Sequence, residues 1–291
     1  MAPSVADLES HLGRTLARED IVAPGPARAA LAMLGRDDWA PAADDALPPA
    51  WHMFYCLATE PAGELGRDGL PRAYEAIPEL PLPRRMFAGL RMRFHAPLRI
   101  GDRVRLESEL KTLERKRGRT GELIFATVAN RLLRDGGELA IEEEHDIVAR
   151  DAVAAGAANP MPAPRAAPGE APWRDSIAVD AVMLFRFSAL VFNAHRIHYD
   201  RAHATRVEGY RGLVVHGPLH LILLLELLRR HAPERAIAAL AMRVRAPLFD
   251  DAPVRLAGRP SAGAAGAELW TATPDGGIAA EVAVAFAGVR G

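Results

Sequence analysis

A chain of 291 residues has room for one large domain or two of ordinary size, and with 49% apolar residues it can fill a core. Its 36 basic and 37 acidic side chains leave a formal charge of −1, which gives no global reason to expect nucleic acid or an anionic membrane as a partner. Cys56 is the single cysteine, which excludes a disulfide framework and a Cys-based metal site.

The opening MAPSVADLESHLGR lacks the basic start and apolar run of a secretion signal. No stretch reaches the roughly 20 apolar residues needed to span a bilayer, so a cytoplasmic, reduced protein is expected. Leu8, Leu12 and Leu16 recur at i+4 spacing and predict a small amphipathic helix. LPPAWHMFYCLA (47–58) predicts a short helix ahead of the strands of the first half. RKRGR (115–119) is the densest basic run and reads as a solvated hairpin tip. Only Lys111 and Lys116 are lysines, so a given arginine is not a phosphate ligand by default.

An internal repeat organises the chain. RMRFHAPLRIGDRVRL (91–106) lies without gaps on AMRVRAPLFDDAPVRL (241–256), with eight identities in sixteen positions. Each copy runs into strand-like segments joined by an Asp-Gly-Gly turn, at Asp135-Gly136-Gly137 and at Asp275-Gly276-Gly277. EVAVAFAGV alternates with the period of two of a strand with one buried face. Between the halves, 151–172 is rich in Ala, Pro and Gly and reads as a linker, which leaves units at 1–150 and 173–291. In the second unit AVMLFRFSALV (181–191) reads as a strand, and LHLILLLELLRR, entered through Pro218, as a helix apolar nearly all round and wrapped by other structure. Helix-then-strands, done twice, predicts an α+β fold in which each antiparallel sheet curls around a helix.

FNAHRIHYD (192–200) concentrates proton-handling groups between these two apolar segments. His195, His198 and Asp200 could form part of a metal set, but no HExxH pattern supplies the rest. Ser188 has no flanking elbow glycines, and Cys56 lies far away in sequence, so a nucleophile is poorly supported. General acid–base chemistry by His198 fits better, beside the alternative of a core histidine bonded to a carbonyl. VVHGPL then sets Gly217 ahead of the buried helix, where free N–H groups and the helix dipole favour negative charge. A base beside such an oxyanion site suits addition of water across a double bond conjugated to a thioester.

FNAHRIH resembles the G-D-x-N-P-I-H signature of the MaoC-like (R)-specific enoyl-CoA hydratases, which have a hotdog fold. His198 falls on the family's catalytic histidine and Gly217 on the glycine that starts the hotdog helix. Asn193 falls on the catalytic aspartate, and His195 and Arg196 on the asparagine and proline. FNAHRIHYD with EGYRGLVVHGPL is similar to the double-hotdog subgroup of mesaconyl-C4-CoA, itaconyl-CoA and 3-hydroxyacyl-thioester hydratases and dehydratases, in which this altered motif is the pattern. LPPAWHMF, RRMFAG and RFHAPLRIGD are similar to that subgroup's N-terminal domain. The resemblance implies one site per chain, in the C-terminal hotdog, that hydrates a short, dicarboxylic enoyl-CoA reversibly. His198 would be the base, Asn193 would position water and Gly217 would bind the thioester oxygen. Arg196 would meet a substrate carboxylate, with His195, Tyr199, Asp200 and His216 around the substrate and His195 fixing a tautomer. Arg84, Arg85, Arg91 and Arg93 are candidates for CoA phosphates. No cofactor or metal is implied, coenzyme A entering as part of the substrate. Exposed sheet edges make a homodimer the expected assembly. A hotdog acyl-CoA thioesterase and a non-catalytic acyl-CoA binding protein remain the alternatives.

Overall fold

The computed structural model describes residues 8–288, apart from 119, 120, 155 and 164. Ten strands form one antiparallel sheet in the order β1-β3-β4-β5-β2-β7-β10-β9-β8-β6. The first half supplies β1 (Thr15–Ile21), β2 (Arg84–Phe94), β3 (Arg103–Gly118), β4 (Gly121–Arg134) and β5 (Leu139–Arg150). The second supplies β6 (Trp173–Ile177), β7 (Ile237–Val244), β8 (Val254–Pro260), β9 (Gly266–Ala272) and β10 (Ile278–Phe286). The two halves of the order mirror each other about the β2–β7 seam. At the seam Arg91 pairs with Ala241, and these two residues are equivalent by the 150-residue repeat, so a local two-fold axis passes between them.

Both Asp-Gly-Gly segments form the turns that close β4 to β5 and β9 to β10. RKRGR runs to the end of β3 at the tip of the β3–β4 hairpin, with Arg119 outside the described residues. Residues 151–172 connect β5 to β6, and among the described residues they make one β-bridge, Ala166 to Gly277.

Three α-helices lying wholly among the described residues cover the inner face: α1 (Pro24–Leu34), α2 (Ala181–Leu190) and α3 (Gly217–His231). From Leu219 through Leu228 every residue of α3 is buried, as its all-round apolar pattern requires. At about 2 kcal/mol per fully buried leucine, this helix anchors the core of the second half.

Three local expectations change. AVMLFRFSALV is a helix rather than a strand: Asp180 caps it by accepting the Met183 N–H at 2.9 Å, and Leu184, Phe187 and Ser188 face inward. The helix of the first half lies upstream at α1, packed on α2, while LPPAWHMFYCLA makes only a single 3-10 turn at Trp51–Phe54. Leu8 is helical at the edge of the described residues, Leu12 sits in the turn that follows and Leu16 in edge strand β1, so Leu12 and Leu16 do not continue its helical face. The stretch preceding β2 has no helix longer than three residues between residue 55 and β2, and covers its part of the sheet with Ala76, Ile77, Leu80 and Leu82. A loop therefore lies where the second half has α3, and beside it the interior stays open.

Candidate active site

That opening is a cavity of about 990 Å³ lined from both halves, at the upper end of the range for ligand pockets. The loop after α2 forms one wall. Asn193 N–H donates to the Ser188 carbonyl at 2.8 Å, and Asn193 Oδ1 accepts the His195 N–H at 2.8 Å, which turns the chain sharply. A 3-10 turn over Arg196–His198 follows. Arg196 N–H donates to the Asp68 carbonyl at 2.8 Å, and Gly69 passes so close that a Cβ there would lie 2.0 Å from the Ala194 carbonyl oxygen. The loop of residues 66–72 is thereby fastened to the His198 loop. Phe185, Phe192, Tyr199 and Met161 are exposed on the cavity wall and give its mouth an apolar rim.

His198 is buried on the cavity wall with its Nδ1 at 2.7 Å from the Val214 carbonyl oxygen. A carbonyl only accepts, so the proton sits on Nδ1 and Nε2 carries the lone pair. Burial pushes the pKa down to about 4, partly offset by the Val214 bond, so the ring is neutral at pH 7 and can act as a base. His216 stacks on it with ring centroids 3.6 Å apart and an 18° tilt, and bonds Ser188 Oγ through Nε2 at 2.8 Å. His195 meets it edge to face at 5.4 Å. Burial, followed by the nearby His198, pushes both neighbours well below the ordinary histidine range. Three buried, neutral imidazoles thus share one wall.

Gly217 follows His216 and opens α3. Among the described residues no protein acceptor meets its N–H, and Pro218 contributes none, so the start of the helix presents a free donor and the positive end of its dipole. Phe87 lies against it: a Cβ on residue 217 would sit 2.4 Å from Phe87 Cδ1. Only glycine lets the helix N-terminus approach that ring.

Of the residues singled out in the sequence, Asn193, His195, His198, Tyr199, His216 and Gly217 line the cavity. Arg196 and Asp200 do not. Arg196 binds Asp200 at 2.7 Å and the Arg67 carbonyl at 3.1 Å, while Asp200 also accepts the His203 N–H at 2.9 Å. Their i+4 spacing brings them onto each other instead of onto a ligand. Nor does His195 fix the His198 tautomer; the Val214 carbonyl does. Tyr199 donates to the Ala194 carbonyl at 3.1 Å from the cavity mouth. Arg84 is buried against Glu208 at 2.5 Å, Arg91 is held by Glu144 and Asp146, and Arg93 is exposed, so none of these three faces the cavity. Arg85 does. Ser188 is committed to His216, and burial raises Cys56 to about 11, which keeps it a thiol.

The first half contributes a polar lobe to the same cavity that the sequence pattern did not signal. Glu143 bonds His52 Nε2 at 3.0 Å, Asn130 Nδ2 at 3.2 Å and His145 Nε2 at 3.2 Å, and His145 Nδ1 lies 3.6 Å from Glu75. Burial opposes both charges. The His145 and His52 rings nevertheless hold Glu143 well below the usual carboxylate range, and Glu143 with Glu75 holds His145 well above the ordinary histidine value. Phe87 separates this lobe from Gly217, its ring edge to face with His145 at 6.1 Å.

Residues 50–250 match the family model for hydroxyacyl-thioester dehydratase type 2. The chain is 46% identical over 289 residues to mesaconyl-C(4)-CoA hydratase of Chloroflexus aurantiacus, covering 98% of this chain and all of that protein. It is 26% identical to the mitochondrial hydroxyacyl-thioester dehydratase type 2 of Schizosaccharomyces pombe, over 72% of this chain and 77% of that one. Among solved structures, a MaoC-like dehydratase from Phytophthora capsici superposes with a TM-score of 0.68 at 12% identity, covering 98% of this chain and 99% of that one. A double-hotdog protein from Mycobacterium tuberculosis superposes with a TM-score of 0.62 at 13% identity, covering 98% of each chain. The chain is a double-hotdog protein and belongs to the hydroxyacyl-thioester dehydratase type 2 family.

Proposed function

We propose that this protein catalyses the reversible hydration of a short enoyl-CoA thioester with a free carboxylate, of the kind the Chloroflexus relative is named for. One observation carries the reading: a buried imidazole with its lone pair on Nε2 stacks on the residue that precedes a free helix-terminal N–H. Water attacks the β-carbon as His198 Nε2 removes its proton, and the π electrons move onto the thioester oxygen. The Gly217 N–H and the helix dipole stabilise that enolate. The protonated Nε2 then delivers the proton to the α-carbon, the carbonyl re-forms, and one water has been added.

Asn193 cannot take up a proton. With its Oδ1 accepting the His195 N–H, its Nδ2 is free to donate to the attacking water, whose proton goes to His198. His216, locked by Ser188, supports the His198 ring from behind. Coenzyme A takes part as the leaving half of the substrate thioester only in a hydrolase; here it stays attached throughout. The reading carries with it a cytoplasmic protein that draws on the CoA-thioester pool.

The test is to follow mesaconyl-C4-CoA with purified protein by loss of enoyl-thioester absorbance and, in parallel, by free thiol. The expected result is loss of the enoyl signal with no thiol released. Thiol release would make the protein a thioesterase, and no turnover of any enoyl-CoA would leave only a binding protein.

A further inference from the structure

A dicarboxylic substrate brings a negative charge into a largely apolar, buried cavity, and some cation has to meet it. Arg196, the natural candidate from its place in the motif, is spent on Asp200 outside the cavity. We propose that Arg85 receives the free carboxylate of the acyl group and so selects dicarboxylic over monocarboxylic thioesters, an inference that deepens the hydratase reading and rests on it.

The arginines around the cavity differ in how fully they are used. Arg18 bonds Glu60 at 3.0 Å and Arg245 bonds Glu281 at 2.9 Å. Arg85, on β2, has a side chain only 13% exposed, yet its contacts are loose: Asp68 at 3.6 Å and the Arg72 carbonyl at 3.4 Å. A guanidinium has five N–H donors in a planar fork, so most of this one's capacity is unspent. Burial depresses its pKa, with Asp68, Tyr74 and Glu79 pulling the other way. A substrate carboxylate would complete it in bidentate geometry.

Position supports the same assignment. Asp68 and Arg72, which the Arg85 guanidinium meets, belong to the loop fastened to the His198 loop through Asp68–Arg196 and Gly69–Ala194. The Arg85 charge is felt at His195, whose ring meets His198 at 5.4 Å. A short acyl group at His198 thus has this cation along the same wall. The polar lobe of the first half is a poorer receiver, because its His145 cation lies between Glu143 and Glu75. Arg150 is the other loosely paired guanidinium, bonded to Asn159 at 2.9 Å, but it sits next to the buried Arg84–Glu208 pair.

A CoA phosphate has the same anionic chemistry, so the experiment separates the two sources. Dissociation constants of two saturated, unreactive thioesters, methylsuccinyl-CoA with the carboxylate and butyryl-CoA without it, are measured by calorimetry on wild type, Arg85→Gln, Arg85→Lys and Arg150→Gln. Arg85→Gln is expected to weaken methylsuccinyl-CoA by about 10–100-fold, the scale of a charged hydrogen-bonded pair, and butyryl-CoA by no more than about threefold. Arg85→Lys, the variant that preserves charge should the glutamine disturb folding, is expected to fall between on the first ligand only. Equal weakening of both ligands would assign Arg85 to a CoA phosphate and overturn the proposal. So would no weakening of either, or loss of the preference in Arg150→Gln instead. Because both ligands are unreactive, the outcome is independent of whether wild type hydrates any enoyl-CoA.

Discussion

The two halves of the sheet use one framework for different ends. Met92 and Met242 occupy equivalent positions beside the seam, and each pairs with the strand that closes its own half: Met92 with Glu143, Met242 with Val282. The next strands continue the match, Glu143 pairing with Asn130 and Val282 with Leu269. Two residues on, His145 stands where the second half has Val284. Where α3 packs on the sheet these positions are valines and a leucine; where a loop and a cavity replace the helix they are asparagine, glutamate and histidine. Backbone register is therefore indifferent to what lies on it, whereas side-chain chemistry follows what covers the face. A dry helix demands apolar partners, and an open cavity admits ionised groups provided that they pair.

Three predictions bear on this comparison, in falling order of effect. If the second half alone holds the reacting base, His198→Ala lowers kcat by about 10²–10⁴-fold with the circular dichroism spectrum unchanged. A rate within twofold of wild type would hand the chemistry to the polar lobe of the first half. If pairing is what lets that lobe exist, Glu143→Val leaves the buried His145 cation with only the looser Glu75 contact and costs about 3–5 kcal/mol in urea unfolding. Adding His145→Val, which copies the apolar face of the second half, recovers most of that loss; no recovery would show that the lobe is held by packing rather than by charge.

The smallest effect is pH-dependent. His198 and His220, both in the second half, are each pushed down to about 4 by burial, against an ordinary value of 6.5. Between those values the unfolded chain binds more protons than the folded one, so stability present above about pH 6.5 is lost as pH falls. By pH 5.5 each contributes a loss of about 1 kcal/mol relative to pH 7.5, seen as a lower urea midpoint. His145, held above the ordinary range by Glu143 and Glu75, shifts stability the opposite way over this window. The readout is therefore the loss of pH dependence in His220→Leu relative to wild type; an unchanged dependence would mean that the ring is hydrated in solution.

Much of this was legible in the sequence where short-range rules suffice. The repeat, both Asp-Gly-Gly turns, the alternation of β10 and the sheathed helix behind Pro218 all follow from local pattern. The strand expectation for Ala181–Leu190 failed because its exposed face carries Val182 and Phe185, which hid the helical period; Asp180 was the signal that could have found it. α1 was announced by Pro24 and Pro26 at its start and by Gly35, in the left-handed region at φ 65°, at its end. FNAHRIHYD pointed to His198, which lies buried on the cavity wall, but not that Arg196 and Asp200, one helical turn apart, would satisfy each other. Arg85, Glu143, His145 and the Val214 carbonyl converge only through long-range pairing, which no local pattern encodes.

The seam itself has a consequence for how such a protein can change. β2 and β7 are joined by backbone hydrogen bonds within a single polypeptide. Two separate hotdog subunits can part on dilution, and each must remain fit to meet an identical copy. Here neither half is ever without the other, at any concentration, and a substitution in one is not duplicated in its neighbour. That freedom lets one half give up its central helix for a loop and an open cavity while the other keeps its helix.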